Sequence, residues 1–278
     1  MIEVLKAILF GIVEGVTEWL PVSSTGHLIL LNEFVTLRVS EEFQSMFDVV
    51  IQLGAILAVI VLFFHKLNPF AFKTKTKQER KDTWVLWFKV CVAILPSGIL
   101  GVRFDDWMDA HLHNAIVVSI ALIVYGIAFI LVERRNEGKY LRAVSDVHDI
   151  GWKTAVLIGC FQALSLIPGT SRSGSTILGA ILLGVGRGAG AEFSFFMAIP
   201  TMLGASAIKL LKFFLETGFS MAGNELTVLL VGMAVSFVVS LLVIRGLMEY
   251  VRKHSFSAFG VYRILLGIVV LGYFLLVG

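Results

Sequence analysis

Long, uninterrupted apolar segments constrain the fold of this chain more than any other feature. Six of them recur along the sequence, at 47–64, 84–102, 114–132, 193–215, 226–244 and 259–277. Each is about as long as an α-helix must be to cross a hydrocarbon core of about 30 Å. Hydrophobic residues make up 57% of the 278 positions and charged residues only 15%, which excludes a soluble domain. We therefore predict an all-α polytopic membrane protein that forms a single membrane domain over 1–278.

The loops between these segments alternate in charge, and this alternation predicts their orientation. Fourteen Lys and Arg residues lie in the loops 65–83, 133–153 and 245–258, whereas only three lie in 103–113 and 209–225. Loops rich in Lys and Arg stay on the cytoplasmic side of a membrane. The three basic loops are therefore predicted to be cytoplasmic, which places both termini outside.

Two further segments are apolar but interrupted. Residues 2–36 are broken by two glutamates and by the sequence PVSSTGH at 21–27, and residues 152–188 are broken by PGTSRSGST at 168–176. Each half has about 12–15 residues, which is too short to cross a bilayer. Proline ends the first half-helix, and Ser, Thr and Gly favour a loop followed by a new helix cap. We predict two re-entrant helix-loop-helix hairpins in addition to six transmembrane helices.

The two interrupted segments resemble each other at a shift of 148 residues. The matched pairs are Gly11 with Gly159, Ser23 with Ser171, and Gly26 with Gly174. The internal repeats are then about 1–132 and 150–278, each a hairpin followed by three crossings. Because three is odd, the second copy is predicted to be inverted in the membrane. Inverted repeats with broken helices bind ligands where the breaks converge, near the bilayer midplane.

Glu14 and Glu18 are the first candidates for a functional site. Their spacing of four places both side chains on one face of a helix. A charge at membrane depth costs about 2.5–3.5 kcal/mol on insertion scales, so a cation, a cationic side chain or a proton is expected to balance this pair. Hydration at the outer interface is the alternative explanation.

Arg172 stands at the centre of an otherwise uncharged segment. Its planar guanidinium carries donors that match phosphate oxygens. The half-helices that begin near Ser24 and Ser173 add free amides and the positive ends of their dipoles. Together these groups predict an anion site. The alternative is a structural ion pair between Arg172 and Glu14 or Glu18.

The first interruption also carries a candidate nucleophile. Ser24 is our candidate, with His27 as its general base or acid, although a purely structural histidine is the alternative. In a second mechanism water attacks directly, activated by Glu18 or a metal, and Ser24 only binds phosphate. The remaining hydroxyl groups are expected to hold phosphate oxygens together with Arg172: Ser23, Thr25, Ser171, Ser173 and Thr176.

At this point the sequence shows a specific resemblance. EGVTE at 14–18, PVSSTGH at 21–27 and PGTSRSGST at 168–176 resemble the two signature motifs of the undecaprenyl-diphosphate phosphatase family, also called bacitracin resistance proteins. The resemblance implies hydrolysis of undecaprenyl (polyprenyl) diphosphate to the monophosphate and inorganic phosphate, which recycles the lipid carrier for cell-wall synthesis. It also implies a bacterial inner-membrane location and a site that faces the periplasm or outside. A divalent cation, Mg²⁺ or Ca²⁺, is implied as well, for which Glu14 and Glu18 are the candidate ligands.

A second function class remains open on the sequence. Inverted repeats are the architecture of secondary transporters, so a lipid or anion translocator is the alternative. Phosphate release in detergent distinguishes the two functions, because no membrane then separates two compartments and translocation cannot be measured. The expected partners are the polyprenyl diphosphate and membrane lipids, with no nucleic acid, and a homodimer is left open.

Overall fold

The computed structural model describes residues 1–112, 114–136, 138, 143–218, 221 and 223–277, and part of the predicted loop 133–153 lies outside these residues. Within the described residues the regular secondary structure is helical, apart from one isolated bridge between Val144 and Val185. The helices are α1 (Ile2–Thr17), α2 (Ser24–Phe34), α3 (Glu41–Val50), α4 (Gln52–Leu62), α5 (Phe64–Leu67), α6 (Lys77–Leu112), α7 (Ala115–Asn136), α8 (Trp152–Ala163), α9 (Arg172–Leu182), α10 (Arg187–Thr217), α11 (Glu225–Lys253) and α12 (Ser257–Val277).

Six helical segments of the described chain are long and apolar enough to cross a membrane, as predicted. They are Glu41–Leu62, Lys77–Phe104, Ala115–Asn136, Arg187–Thr217, Glu225–Lys253 and Ser257–Leu276. The helices extend beyond the apolar segments into stretches that the sequence analysis had treated as loops. Lys209 and Lys212, for example, lie within α10. This difference arises because a helix can continue past the hydrocarbon core wherever its charged side chains reach water.

Both interrupted segments form a helix, a break and a second helix. The residue before the second helix is Ser23 in the first unit and Ser171 in the second, with φ angles of 74° and 71°. Positive φ is uncommon for residues other than glycine. The Ser23 hydroxyl accepts a hydrogen bond from the amide of Gly26 at 3.3 Å, and the Ser171 hydroxyl accepts one from Gly174 at 3.1 Å. The two breaks therefore share one local geometry, in which a serine caps the helix that follows.

Close helix contacts involve matched glycines in the two units. α1 packs against α11, and α8 packs against α6. A Cβ atom on Gly11 would lie 2.6 Å from the carbonyl oxygen of Gly232 on α11, and one on Gly159 would lie 1.8 Å from that of Ala93 on α6. Small residues let helix backbones approach closely in membrane proteins. These two glycines therefore set the position of α1 and α8, and hence of the breaks that follow them.

The first break lies inside the protein. Trp19, in the first break, is completely buried, and its ring meets that of Phe195 edge-on at a centroid distance of 5.2 Å. Val22 and Ser23 are also buried. Non-helical backbone at membrane depth survives only where protein or a water-filled cavity shields it from lipid. The packing around Trp19 supplies that shield and fixes the first break against α10.

Candidate active site

An ion pair joins the two breaks. Arg172 Nη2 donates to Glu18 Oε1 at 3.1 Å, and Arg172 Nη1 donates to the carbonyl oxygen of Ser194 at 2.8 Å. Ser173 adds a hydrogen bond from its hydroxyl to the Glu18 carbonyl oxygen at 3.0 Å. The side chains of Arg172 and Glu18 are only 10% and 6% exposed. The sequence-predicted acid and arginine, 154 residues apart, are thus in direct contact in a shielded environment.

Ser24 completes the contacts of the Glu18 carboxylate. The Ser24 hydroxyl donates to Glu18 Oε2 at 2.6 Å, so each carboxylate oxygen of Glu18 accepts from a different group. Ser24 is also the first residue of α2, where backbone amides lack partners within the helix. A carboxylate that accepts a hydrogen bond from a serine is placed to take its proton when the oxygen attacks. The arrangement thus brings a hydroxyl, a carboxylate and a guanidinium into one cluster, which are the group types that a nucleophile, a base and a phosphate-binding cation require.

Glu14 lies one turn before Glu18 and is completely buried. Neither of its carboxylate oxygens receives a hydrogen bond from the described residues. Because a buried carboxylate without a partner is costly, a proton or a cation must satisfy it. Among the described residues, no group of three or more His, Cys, Asp and Glu side chains is arranged so that it could hold a metal ion. Mg²⁺ nevertheless binds through one or two carboxylates together with substrate phosphates, and Glu14 and Glu18 fit that donor set.

His27 makes contacts that the sequence did not predict. Its Nδ1 lies 2.7 Å from the carbonyl oxygen of Ser23, and its Nε2 lies 2.6 Å from the hydroxyl of Tyr262. A carbonyl oxygen can only accept, so Nδ1 carries the proton and Nε2 accepts from Tyr262. The two rings are also stacked, with centroids 5.7 Å apart. Both ring nitrogens are thus engaged with groups other than Ser24, which instead contacts Glu18.

The other candidate hydroxyls differ in their surroundings. The hydroxyl oxygens of Ser171 and Ser173 lie 3.2 Å apart at the start of α9. Thr176 is buried and shares a 2.6 Å hydrogen bond with the Ser194 hydroxyl. Thr25 is exposed on α2. Ser171 and Ser173 therefore lie beside Arg172, and Thr176 lies one turn further along α9. Thr25 lies on the surface.

The sequence analysis overlooked Arg263, which links the two breaks from α12. Its side chain is completely buried, and it donates to the carbonyl oxygens of Pro21 at 3.1 Å, Gly169 at 2.8 Å and Thr170 at 3.0 Å. Pro21 belongs to the first break, and the other two residues belong to the second. A signal was present, because an arginine within a predicted span is rare and usually functional. Tyr262 and Ser194 were also missed, and their uncharged side chains carry no comparable signal.

These features define a class: a polytopic helical membrane protein with an enclosed cluster of carboxylate, hydroxyl and guanidinium groups. The family model described as bacitracin resistance protein BacA matches residues 7–269, and the chain belongs to this family. A relative from Enterococcus faecalis is 60% identical over 97% of this chain and 96% of its own length. One from Limosilactobacillus fermentum is 58% identical over 99% of both, and one from Acetivibrio thermocellus is 54% identical over the full length of both. All three carry the name undecaprenyl-diphosphatase.

Proposed function

We propose that this chain hydrolyses undecaprenyl diphosphate, or a related polyprenyl diphosphate, to the monophosphate and inorganic phosphate. The observation that carries the proposal is the contact series from Ser24 through Glu18 to Arg172, with hydrogen bonds of 2.6 and 3.1 Å. It combines a nucleophile, a base and a phosphate-binding cation inside a membrane protein. The names of the full-length relatives support the lipid substrate.

In the proposed mechanism, the Ser24 oxygen attacks the terminal phosphorus and the hydroxyl proton passes to Glu18. The bond from that phosphorus to the bridging oxygen breaks, and the prenyl monophosphate leaves. Water then hydrolyses the phosphoserine and releases inorganic phosphate. Arg172 Nε is buried and donates to no described acceptor, which leaves it available for a phosphate oxygen. The amides at the starts of α2 and α9 add further positive potential.

His27 is proposed as the proton donor or acceptor of the later steps. That role requires its hydrogen bond with Tyr262 to break, because Nε2 is engaged there. Direct attack by water on the substrate, with Ser24 only binding phosphate, remains the second mechanism. The two mechanisms differ in one species, the phosphoserine at residue 24.

Trapping that intermediate tests the mechanism. We expect rapid acid quench with substrate labelled on the terminal phosphate to give protein-bound phosphate at residue 24. We also expect Ser24→Ala to lower kcat about a thousandfold or more. Ser45→Ala, at an exposed position of α3, is the matched control and is expected to retain wild-type turnover. Near-normal turnover by Ser24→Ala would instead favour attack by water.

We further propose that Glu14 and Glu18, with oxygens of the diphosphate, hold a divalent cation, Mg²⁺ or Ca²⁺. When bound, the cation supplies positive charge to the phosphate groups. Neither oxygen of the buried Glu14 carboxylate has a hydrogen-bond partner among the residues that the structure describes, and this supports the assignment. Removal of the cation with a chelator is expected to abolish phosphate release, and readdition is expected to restore it. Full activity in excess chelator would contradict the assignment.

We propose that the two helix–break–helix units are re-entrant hairpins within inverted repeats over 1–132 and 150–278. Three features support this proposal: the matched serine caps, the matched glycine contacts, and the pairing of helices. α1 of the first repeat packs against α11 of the second, and α8 of the second packs against α6 of the first. α6 and α11 occupy equivalent places in their repeats, so the exchange is reciprocal, as a two-fold axis requires.

The proposed location is the bacterial inner membrane. The charge of the loops 65–83, 133–153 and 245–258 favours a cytoplasmic position for them, and hence both termini outside. The resemblance to the phosphatase family favours a site open to the periplasm or exterior. The inverted repeat by itself also suits a lipid or anion translocator. Phosphate release from a diphosphate lipid in detergent separates the two functions, because translocation needs two compartments.

A further inference from the structure

A groove of about 630 Å³ adjoins the first break. It is bounded by the end of α1 and by α11 and α12, and its lining is mostly apolar. His27 and Tyr262 line one part of it, and Tyr250 and Phe259, whose ring centroids are 5.4 Å apart, line another. Tyr262 and Phe259 are separated by about one turn of α12. The groove therefore extends along the helices, away from the paired rings of His27 and Tyr262.

The groove and the ion-pair site share a wall. Leu20 and Val22, which line the groove, belong to the same break as Glu18 and follow it by two and four residues. His27, at the edge of the groove, donates from Nδ1 to the carbonyl oxygen of Ser23, the residue before the candidate nucleophile. A molecule with a charged head between the breaks and an apolar chain could therefore occupy both places at once.

The helices on either side of the groove have different packing partners. α11 packs mainly against α1 and α4, whereas α12 packs mainly against α7. The two helices are consecutive in the chain, yet the groove lies between them. Val243 and Tyr262 belong to the apolar segments 226–244 and 259–277, so this end of the groove is at the depth of the lipid chains. The other end, at Gly246, Tyr250 and Ala258, reaches the basic loop 245–258. Apolar chains can thus reach the groove without crossing water.

We infer that this groove binds the isoprenyl units of the substrate that lie nearest the diphosphate. The inference rests on the proposed function, because the occupant is the chain of the same substrate. The diphosphate and its chain are covalently joined, so the first isoprenyl units must lie close to Glu18 and Arg172. Of the groove's lining, His27 and Tyr262 mark the end at the head group, and the apolar remainder suits the hydrocarbon.

Gly246 offers a way to fill the groove. It lines the groove, and a Cβ atom built on it meets no atom within 4 Å, so a side chain can begin there without a clash at its Cβ. Gly246→Phe is the test variant. Gly204→Phe, on α10, is the matched control, because a Cβ there also meets nothing within 4 Å and Gly204 lies outside the groove.

The experiment compares kcat/KM for phosphate release from C55, C15 and C5 prenyl diphosphates in detergent. We expect Gly246→Phe to lower the ratio of C55 to C5 values about tenfold, since it removes space for all but the first isoprenyl units. Gly204→Phe is expected to leave the ratio unchanged. An unchanged ratio in both variants would overturn the inference. No release by the wild type from any chain length would instead refute the proposed function.

Photo-cross-linking supplies a readout that does not depend on turnover or on the folding of a variant. A prenyl diphosphate with a diazirine in its first isoprenyl unit is expected to label wild-type protein within 16–27, 243–250 or 258–262, the segments that line the groove, and excess C55 diphosphate is expected to prevent labelling. Labelling elsewhere would overturn the inference. Labelling prevented by phosphatidylglycerol, and not by prenyl diphosphate, would assign the groove to an ordinary membrane lipid and also overturn it.

Discussion

Glu18, in the first break, forms hydrogen bonds to residues of α2 and α9. One of its carboxylate oxygens accepts from Ser24 on α2, and the other accepts from Arg172 on α9. The backbone carbonyl of Glu18 accepts from Ser173 as well. Burying a carboxylate at this depth is favourable only when such donors satisfy it. A single side chain therefore contacts both the candidate nucleophile Ser24 and Arg172.

Glu18→Gln tests the role of this carboxylate as a base. The amide has nearly the same shape but cannot take a proton from Ser24, so we expect kcat to fall about a hundredfold to ten-thousandfold. Steady-state phosphate release measures this effect. Glu33→Gln, at an exposed position of α2, is the control and is expected to match the wild type. A loss confined to KM would show that Glu18 binds substrate and does not transfer protons.

Arg263 acts through the backbone of both breaks and touches no side chain of the ion pair in the described contacts. Its guanidinium donates to three carbonyl oxygens, whereas a lysine ammonium is a compact point charge without the planar fork. Arg263→Lys is therefore expected to preserve folding but to lower kcat, because the breaks are no longer held in one geometry.

Arg263→Met is expected to destabilise the protein. The substitution leaves three buried carbonyl groups without this donor, at a cost of about 1–3 kcal/mol each. Thermal unfolding in detergent measures the loss, and the effects of Lys and Met at this position are expected to differ. Wild-type Tm and kcat for Arg263→Met would show that the breaks do not depend on this clamp.

At the scale of helices, length and hydropathy outweigh local helix-breaking residues. Pro96 and Pro200 lie inside α6 and α10 and do not end them, whereas Pro21 and Pro168 lie in the breaks. Membrane helices tolerate proline because neighbouring groups satisfy the freed carbonyl. In the breaks, proline is joined by a run of Ser, Thr and Gly residues that favour a new cap. The residues next to each proline therefore indicate whether the helix continues or breaks there.

The contact between α8 and α6 gives a prediction at this scale. A methyl group on Gly159 would lie 1.8 Å from the Ala93 carbonyl oxygen, so Gly159→Ala must push the helices apart. We expect a stability loss of about 1–3 kcal/mol, seen as a lower Tm in detergent. Gly98→Ala on α6 is the control, because its Cβ meets nothing and alanine favours helix. Equal Tm values for the two variants would contradict the close packing.

At the scale of the whole molecule, the charge of the loops and the packing of helices between the two halves both support the proposed inverted repeat. α12 packs against α7, so the last helices of the two proposed repeats also meet. The pairing of α1 with α11 and of α8 with α6 places the first half-helix of each unit against the opposite repeat. Neither half can therefore complete its break without the other.

Cysteine accessibility in intact cells tests the orientation. In a background with Cys91→Ser and Cys160→Ser, we expect Asn224→Cys to react with a membrane-impermeant maleimide added outside. Thr74→Cys, in a basic loop, is expected to react only after the membrane is permeabilised. The opposite labelling pattern would invert the proposed topology and place the site on the cytoplasmic side.

The sequence by itself determined the class, the six spans and the positions of the two breaks. Each of these depends on a local quantity, the transfer of one segment into lipid or the conformational preference of a few residues. The serine caps and the candidate acids and arginine followed from the same local reasoning.

Only the tertiary structure decided which groups meet. It paired Glu18 with Arg172, turned His27 toward Tyr262 rather than Ser24, and brought Arg263 from the last helix to both breaks. These contacts span 93 to 242 residues of sequence. They depend on how far each helix is rotated and how closely it packs, which is the sum of many weak contacts and cannot be read from any one segment.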